Sequence, residues 1–223
     1  MSEAAEVAAA VVAVAAARAE KQLLTYDSHH RPQRGTGARI TTAMHASSGS
    51  VRPATPQDAA ACVAIYRPYV ESTAISWETE VPTVDEMASR IAGPRATHEW
   101  LVLERRDEIV GFAYGQPLKR LATFQWSAET GIYVDVDHHR TGGGRELYLR
   151  LLRRLTERGY RRAFAAITQP NEASNGFHRA FGFQDAGLYR RVEWKHDSWH
   201  DVAWMQLDLL GPADQDGPPA PIV

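Results

Sequence analysis

Thr141-Gly142-Gly143-Gly144, with Arg140 before it and Arg145 after it, is the stretch whose residue types and spacing most directly imply chemistry. An apolar run from Ile132 to Val136 precedes it. Leu147, Tyr148, Leu151, Leu152 and Leu155 follow at the spacing of one helix face, so the order is strand, glycine loop, amphipathic helix. Residues without side chains let backbone approach a ligand closely, and the amides of a first helical turn have no partner inside the helix. With the positive end of the helix dipole and two arginines added, the junction suits a phosphate or pyrophosphate. On these residues alone, a left-handed turn carrying spare glycines is the alternative.

Two familiar phosphate loops do not match. A dinucleotide fingerprint needs G-x-G-x-x-G with an acid about twenty residues on, whereas position 147 is Leu and the helix follows at once. A P-loop needs Gly-Lys-Ser/Thr, whereas Arg145 and Glu146 follow Gly144. His139-Arg140-Thr141-Gly142-Gly143-Gly144 resembles the Q/R-x-x-G-x-G/A element of the GNAT superfamily of N-acetyltransferases, whose loop amides hold the pyrophosphate of acetyl-CoA. His139 stands where Gln or Arg is usual.

The elements that must position this loop can be read on both sides of it. Thr55-Pro56-Gln57-Asp58 starts a helix with Cys62, Ile65, Tyr66 and Tyr69 on its buried face, and Pro68 is expected to kink or end it. Thr83-Val84-Asp85-Glu86 is a capping box for a short helix to about Ile91, after a loop from Ser72 to Glu80. Strands Glu99–Glu104 and Ile109–Gly115 form a hairpin through Arg106-Asp107-Glu108, followed by an irregular stretch from Gln116 to Gln125. Beyond the central helix, stopped by Gly159, come a strand over Arg162–Thr168 and a helix over Asn171–Phe181 ended by Gly182. An antiparallel pair closes the chain, about Ala186–Trp194 and Asp201–Leu209. The order is β-α-α-β-β-β-α-β-α-β-β, which predicts an α/β fold with a mixed, mostly antiparallel sheet flanked by helices in one domain.

With 223 residues, 44% of them apolar, the chain has material for one domain and some extra. The net charge of −2 gives no reason to expect a nucleic-acid or anionic-membrane partner, and one cysteine excludes an internal disulfide or a cysteine-rich metal site. Cys62 reads as a core residue, and no metal is expected. Residues 1–50 read as a disordered or marginally helical extension. Their Val7–Ala17 run is too short to span a bilayer and is preceded by Glu3 and Glu6 rather than by positive charge. The domain is expected over 51–210, with a proline-rich tail over 211–223. Met44 lies seven residues before Val51, so residues 1–43 are expected to be dispensable.

Further segments resemble one branch of that superfamily, the phosphinothricin N-acetyltransferases: VRPAT-x-x-D at 51–58, IYRPYVESTAISWETE at 65–80, WSAETGIYV at 126–134, NEASNGFHRAFGF at 171–183 and WKHDSWHDV at 194–202. The resemblance implies the GNAT fold, a cytoplasmic homodimer, acetyl-CoA as donor and a small amine as acceptor. It carries the cofactor contacts to the backbone of Ile132, Tyr133 and Val134, to Arg140, Thr141, Gly142, Gly143, Gly144 and Arg145, and to Asn171. It also implies that side chains at Gly142 or Gly144 would block the pyrophosphate, whereas Gly143, where relatives place a larger residue, would tolerate Ala or Leu.

The chemistry such a reaction needs has candidates. An amino acid arrives as an ammonium ion, which has no lone pair to attack a thioester, so a base must remove a proton; Glu129, just ahead of Ile132, is placed for that. A surface or salt-bridged glutamate is the alternative. The departing thiolate calls for a proton or a donor hydrogen bond, and His178, two helical turns from Asn171 on the same face, is expected to be the acid or thiolate stabiliser, a histidine capped by backbone at the sheet being the alternative. For the acceptor, Lys119 matches a basic position of the branch, Arg120 is one place off a second and Phe124 replaces a Tyr; Trp77 supplies an aromatic wall. A different amine acceptor, such as an antibiotic or a protein N-terminus, and a noncatalytic acyl-CoA-binding module remain as rivals.

Overall fold

The computed structural model describes residues 49–93 and 97–210. The alanine-rich run, Met44 and the proline-rich tail lie outside them. In chain order the elements are β1 (Ser50–Pro53), α1 (Ala59–Ser72), α2 (Val84–Ile91), β2 (Glu99–Arg105), β3 (Glu108–Pro117), β4 (Ser127–Val134), α3 (Gly143–Glu157), β5 (Arg162–Gln169), α4 (Glu172–Ala180), β6 (Gln184–Lys195) and β7 (Ser198–Asp208). They build a seven-stranded sheet in the order β1-β2-β3-β4-β5-β7-β6, in which only β4 and β5 are parallel.

Side chains alternate across this sheet and divide the core in two. Leu101, Leu103 and Ala113 meet Leu147, Leu151 and Leu155 of α3 on one face. Val102 and Phe112 meet Cys62, Ile65, Met87 and Ile91 of α1 and α2 on the other. Burial pushes the Cys62 thiol up to about 12, which suits a packing residue and not a nucleophile.

Local signals explain the boundaries. The Thr83 hydroxyl accepts from the Glu86 amide while the Glu86 carboxylate accepts from the Thr83 amide, capping α2 at both levels. Arg106 and Asp107, and again His196 and Asp197, have φ between 49° and 65°, the mirror-image turn whose twist matches a two-residue hairpin.

Four expectations need correction. The strand before the glycine loop is Ser127–Val134 rather than Ile132–Val136, because Asp135 Oδ1 accepts from the Asp137 amide and bends the chain into a short 3₁₀ turn. Pro68 does not end α1: the helix runs on to Ser72, with Ile65, Tyr66 and Val70 buried around it. Thr55 opens a 3₁₀ turn, Pro56–Asp58, and α1 begins only at Ala59. The stretch from Gln116 to Gln125 is partly ordered, with β3 reaching Pro117 and a 3₁₀ turn at Ala122–Phe124.

Candidate active site

β4 and β5 pair only through Ser127↔Arg162, Ala128↔Ala163 and Glu129↔Phe164. Beyond that point β4 follows β3 as far as Gly111↔Val134, while β5 follows β7 to Gln169↔Asp201. The strands therefore part, and Gly131 to Val134 turn toward β5 an edge that no strand among the described residues pairs with. Thr130 pins the vertex. Its hydroxyl donates to the Phe164 carbonyl at 3.0 Å and accepts from the buried Tyr148 hydroxyl at 2.8 Å.

Glu129 is the last paired residue before the gap. Being one residue from Thr130, its side chain is on the opposite face, where Gly131 and Tyr133 also point. It lines a cavity of about 220 Å³ with Trp77, Tyr114 and Gln116. Among the described residues Glu129 makes no side-chain hydrogen bond or ion pair, and burial alone raises its carboxyl above the usual range. The surface or salt-bridged glutamate is thus not what the fold builds.

His178, Asn171, Thr168 and Ile132 line a narrower slot in the gap itself. Ile75, Thr130, Gly131, Tyr133 and Ala166 border both spaces, so slot and cavity adjoin. His178 Nδ1 lies 2.8 Å from the Ser174 carbonyl, which only accepts, so that nitrogen carries the proton and Nε2 presents a lone pair. Desolvation also lowers the His178 pKa, favouring the neutral ring. In this tautomer Nε2 is an acceptor, so His178 hands on a proton only after taking one there, and its Nδ1 contact is the backbone tie named as the alternative. Asn171 caps α4, its Oδ1 accepting from the Ser174 amide at 3.0 Å, which also sets the turn that holds His178.

At the glycine loop, Gly142 takes φ +83° and its carbonyl accepts from the Arg145 and Glu146 amides. The amides of Gly143 and Gly144 are then the donors aimed out of the helix. Arg105 braces the loop from β2, donating to the Thr141 hydroxyl at 2.7 Å and carbonyl at 3.2 Å, while its buried Nε has no partner among the described residues. Arg140 is exposed with φ +60°. His139 serves the strand end: its Nε2 is 3.0 Å from the Val134 carbonyl and 2.8 Å from the Tyr69 hydroxyl. Gly143 departs from expectation, because a Cβ there would fall 2.5 Å from Leu103 Cδ2 and 3.1 Å from the Arg105 guanidinium. At Gly142 a Cβ would meet nothing within 4 Å.

The expected acceptor residues separate. Trp77 lines the Glu129 cavity, its indole N–H donating to Thr168 at 2.9 Å. Lys119 lies 5.2 Å over the Phe124 ring, and neither borders that cavity. Three contributors were not among the expected site residues: Tyr114, whose ring lies against Gly131; Glu193, which accepts from Thr168 at 2.8 Å; and Lys195, whose buried ammonium donates to the Ser76 carbonyl at 2.6 Å. Only the alternation of β3 pointed to Tyr114. The other two depend on strands 90 or more residues away from the loop they hold.

The sequence matches the family model "Acetyltransferase (GNAT) domain" over residues 51–204. A phosphinothricin N-acetyltransferase from Streptomyces viridochromogenes is 34% identical over 77% of this chain and 92% of its own. A methionine sulfoximine/methionine sulfone acetyltransferase from Pseudomonas aeruginosa is 32% identical over 73% and 95%. Among solved structures, a phosphinothricin acetyltransferase from Sinorhizobium meliloti in complex with acetyl-CoA superposes with a TM-score of 0.67 at 29% identity, covering 72% of this chain and 88% of that one. The parted strands, the glycine loop at the head of α3 and these similarities agree: the chain belongs to the GNAT family and is an acetyl-CoA-dependent N-acetyltransferase.

Proposed function

We propose that the acceptor is the primary α-amine of a small amino-acid-like molecule of the phosphinothricin or methionine sulfoximine kind. The observation that carries this reading is the unpaired, half-buried Glu129 carboxylate at the vertex of the gap, in a cavity of a size for a small acceptor. The donor's pyrophosphate falls to the Gly143 and Gly144 amides and the Arg105-braced loop, and its pantetheine arm to the free edge of Ile132 to Val134.

Glu129 removes one proton from the ammonium ion. The freed amine attacks the thioester carbonyl, forming the C–N bond; the intermediate then expels the thiolate, breaking the C–S bond, and the second nitrogen proton ends on sulfur. His178 takes part as an acceptor, its Nε2 holding a water that passes this proton across, and its removal should slow the thiol-releasing half more than acceptor binding. On this reading Trp77 packs against the acceptor while Lys119 and Phe124 act from outside the cavity. The same reading assigns the exposed Tyr189, Val192, Trp194 and Trp199 of the closing hairpin to contact with a second copy of the chain in the cytoplasm.

Thiol release from acetyl-CoA is the test, measured across free amino acids, phosphinothricin, methionine sulfoximine, an aminoglycoside and a short peptide with a free N-terminus. Turnover with the amino-acid-like acceptors is expected. Turnover only with the peptide or the aminoglycoside, or acetyl-CoA binding with no turnover, overturns the assignment.

A further inference from the structure

Beside the Glu129 cavity lies a second and larger chamber, of about 480 Å³, between α2 and the strands β2 and β3. The two share Tyr66, Glu78, Tyr114, Gln116 and Tyr133 as lining residues, so a molecule with its amine at Glu129 has this chamber as its neighbour. Its walls are flat rings: Trp100 stacks on Tyr114 at 4.9 Å with planes 22° apart, and on Phe112 at 5.6 Å with planes 11° apart. Tyr114 forms the partition. It leans on Gly131 so closely that a Cβ there would fall 2.5 Å from its ring, a contact that the absence of a side chain on β4 makes room for.

Charge in the chamber is arranged unevenly. Arg90 is occupied by a two-pronged contact with Glu78, at 2.6 and 2.9 Å, and Glu78 also accepts from the Tyr66 hydroxyl. Arg120 lines the same space, is exposed, and has no side-chain hydrogen bond or ion pair among the described residues. A pocket with flat rings on one wall, polar groups on another, one uncommitted cation and a base next door fits a particular kind of molecule.

We propose that this chamber receives the acceptor's side chain, that Arg120 takes its carboxylate, and that α-amino acids with a flat aromatic side chain are therefore acceptors alongside the phosphinothricin kind and are preferred to one with a methyl side chain. This rests on the acceptor being amino-acid-like. Flat rings fill the space beside Trp100 and Tyr114, whereas a methyl side chain leaves it to water, and filling such a pocket changes kcat/KM by about tenfold or more.

Thiol release from acetyl-CoA with L-phenylalanine, L-tryptophan, L-alanine and phosphinothricin tests the proposal. The expected result is a kcat/KM for the two aromatic acceptors about tenfold or more above that of L-alanine, with phosphinothricin also turned over. Ser89 borders the chamber from the exposed side of α2, so Ser89→Trp narrows it without disturbing the core and should bring the phenylalanine-to-alanine ratio down about tenfold. Arg120→Gln should raise KM for L-phenylalanine and not for phenethylamine, which lacks the carboxylate. Equal or better turnover of L-alanine overturns the proposal alone, as does an unchanged ratio in Ser89→Trp or an equal KM effect of Arg120→Gln on both amines. Absence of turnover with every amino acid instead overturns the amino-acid reading beneath it.

Discussion

Thr130→Val probes the pin at the vertex of the gap with little change of volume, since a methyl replaces the hydroxyl. Two interactions go with that oxygen: the Tyr148 hydroxyl loses its acceptor at 2.8 Å, and the Phe164 carbonyl loses a donor at 3.0 Å. Tyr148 is fully buried, so no water replaces the partner. Leaving a buried donor unsatisfied costs about 1–3 kcal/mol and losing an ordinary hydrogen bond about 0.5–1.5, which together give roughly 2–4 kcal/mol. For a chain of this size each kcal/mol lowers Tm by about 2–4 °C, so the fall should be roughly 4–16 °C. Tyr148→Phe in the same protein removes the orphaned donor and should return about 1 kcal/mol or more, making the double variant more stable than Thr130→Val alone. Equilibrium urea unfolding of the wild type, both single variants and the double measures the cycle. A loss below about 0.5 kcal/mol for Thr130→Val, or a further loss on adding Tyr148→Phe, would refute the argument that this hydroxyl pair holds the strands at their parting.

Glu129→Gln should lower kcat by about 10²–10⁴ with acetyl-CoA affinity retained; unchanged turnover at saturating acceptor removes Glu129 from the mechanism. Because burial raises its pKa and the base must be ionised, kcat/KM should fall with decreasing pH along a limb lying above the ordinary carboxylate range, and the Gln variant should lack that limb. The same raised pKa means that this group favours folding below its unfolded-state pKa and loses that contribution as pH rises through the folded value, so acid inactivation and acid unfolding should not coincide. Gly143→Ala, for which the sequence suggested tolerance, should cost about 1–3 kcal/mol through its clash with Leu103 and weaken acetyl-CoA binding measured by calorimetry. Gly142→Ala, strained in φ but facing open space, should cost about 1–2 kcal/mol; a Gly143→Ala protein as stable as wild type contradicts the packing.

Element types were legible in the sequence because local rules govern them. The capping box at Thr83 and Glu86, the stop at Gly159 and the leucine spacing of α3 each involve residues within a few positions of one another. The glycine loop was legible for the same reason. What escaped was set by partners far along the chain. Gly143 is crowded by Leu103 and Arg105 of β2, forty and thirty-eight residues earlier, and no local pattern shows that. The His178 tautomer follows from a carbonyl one helical turn back, visible only once the ring orientation is known. Lys119 matched a pattern by position, yet the chain bends through the Ala122–Phe124 turn and turns Arg120 toward the chamber instead.

The loop from Thr73 to Glu80 has a history as well as a geometry. It forms a wall of the Glu129 cavity, and besides its ties to α1 and α2 it has three to chain made much later: Trp77 to Thr168, the Ser76 carbonyl to Lys195, and the Thr73 carbonyl to His196, separations of 91, 119 and 123 residues. On a ribosome, the helices and early strands can be in place while this wall still lacks its anchors, because contacts so distant in sequence form last. A nascent chain that has emerged only as far as α4 already holds Glu129, the glycine loop and His178. It is nevertheless without a finished cavity wall until the final hairpin arrives, so that wall is completed at the very end of synthesis by Lys195 and His196.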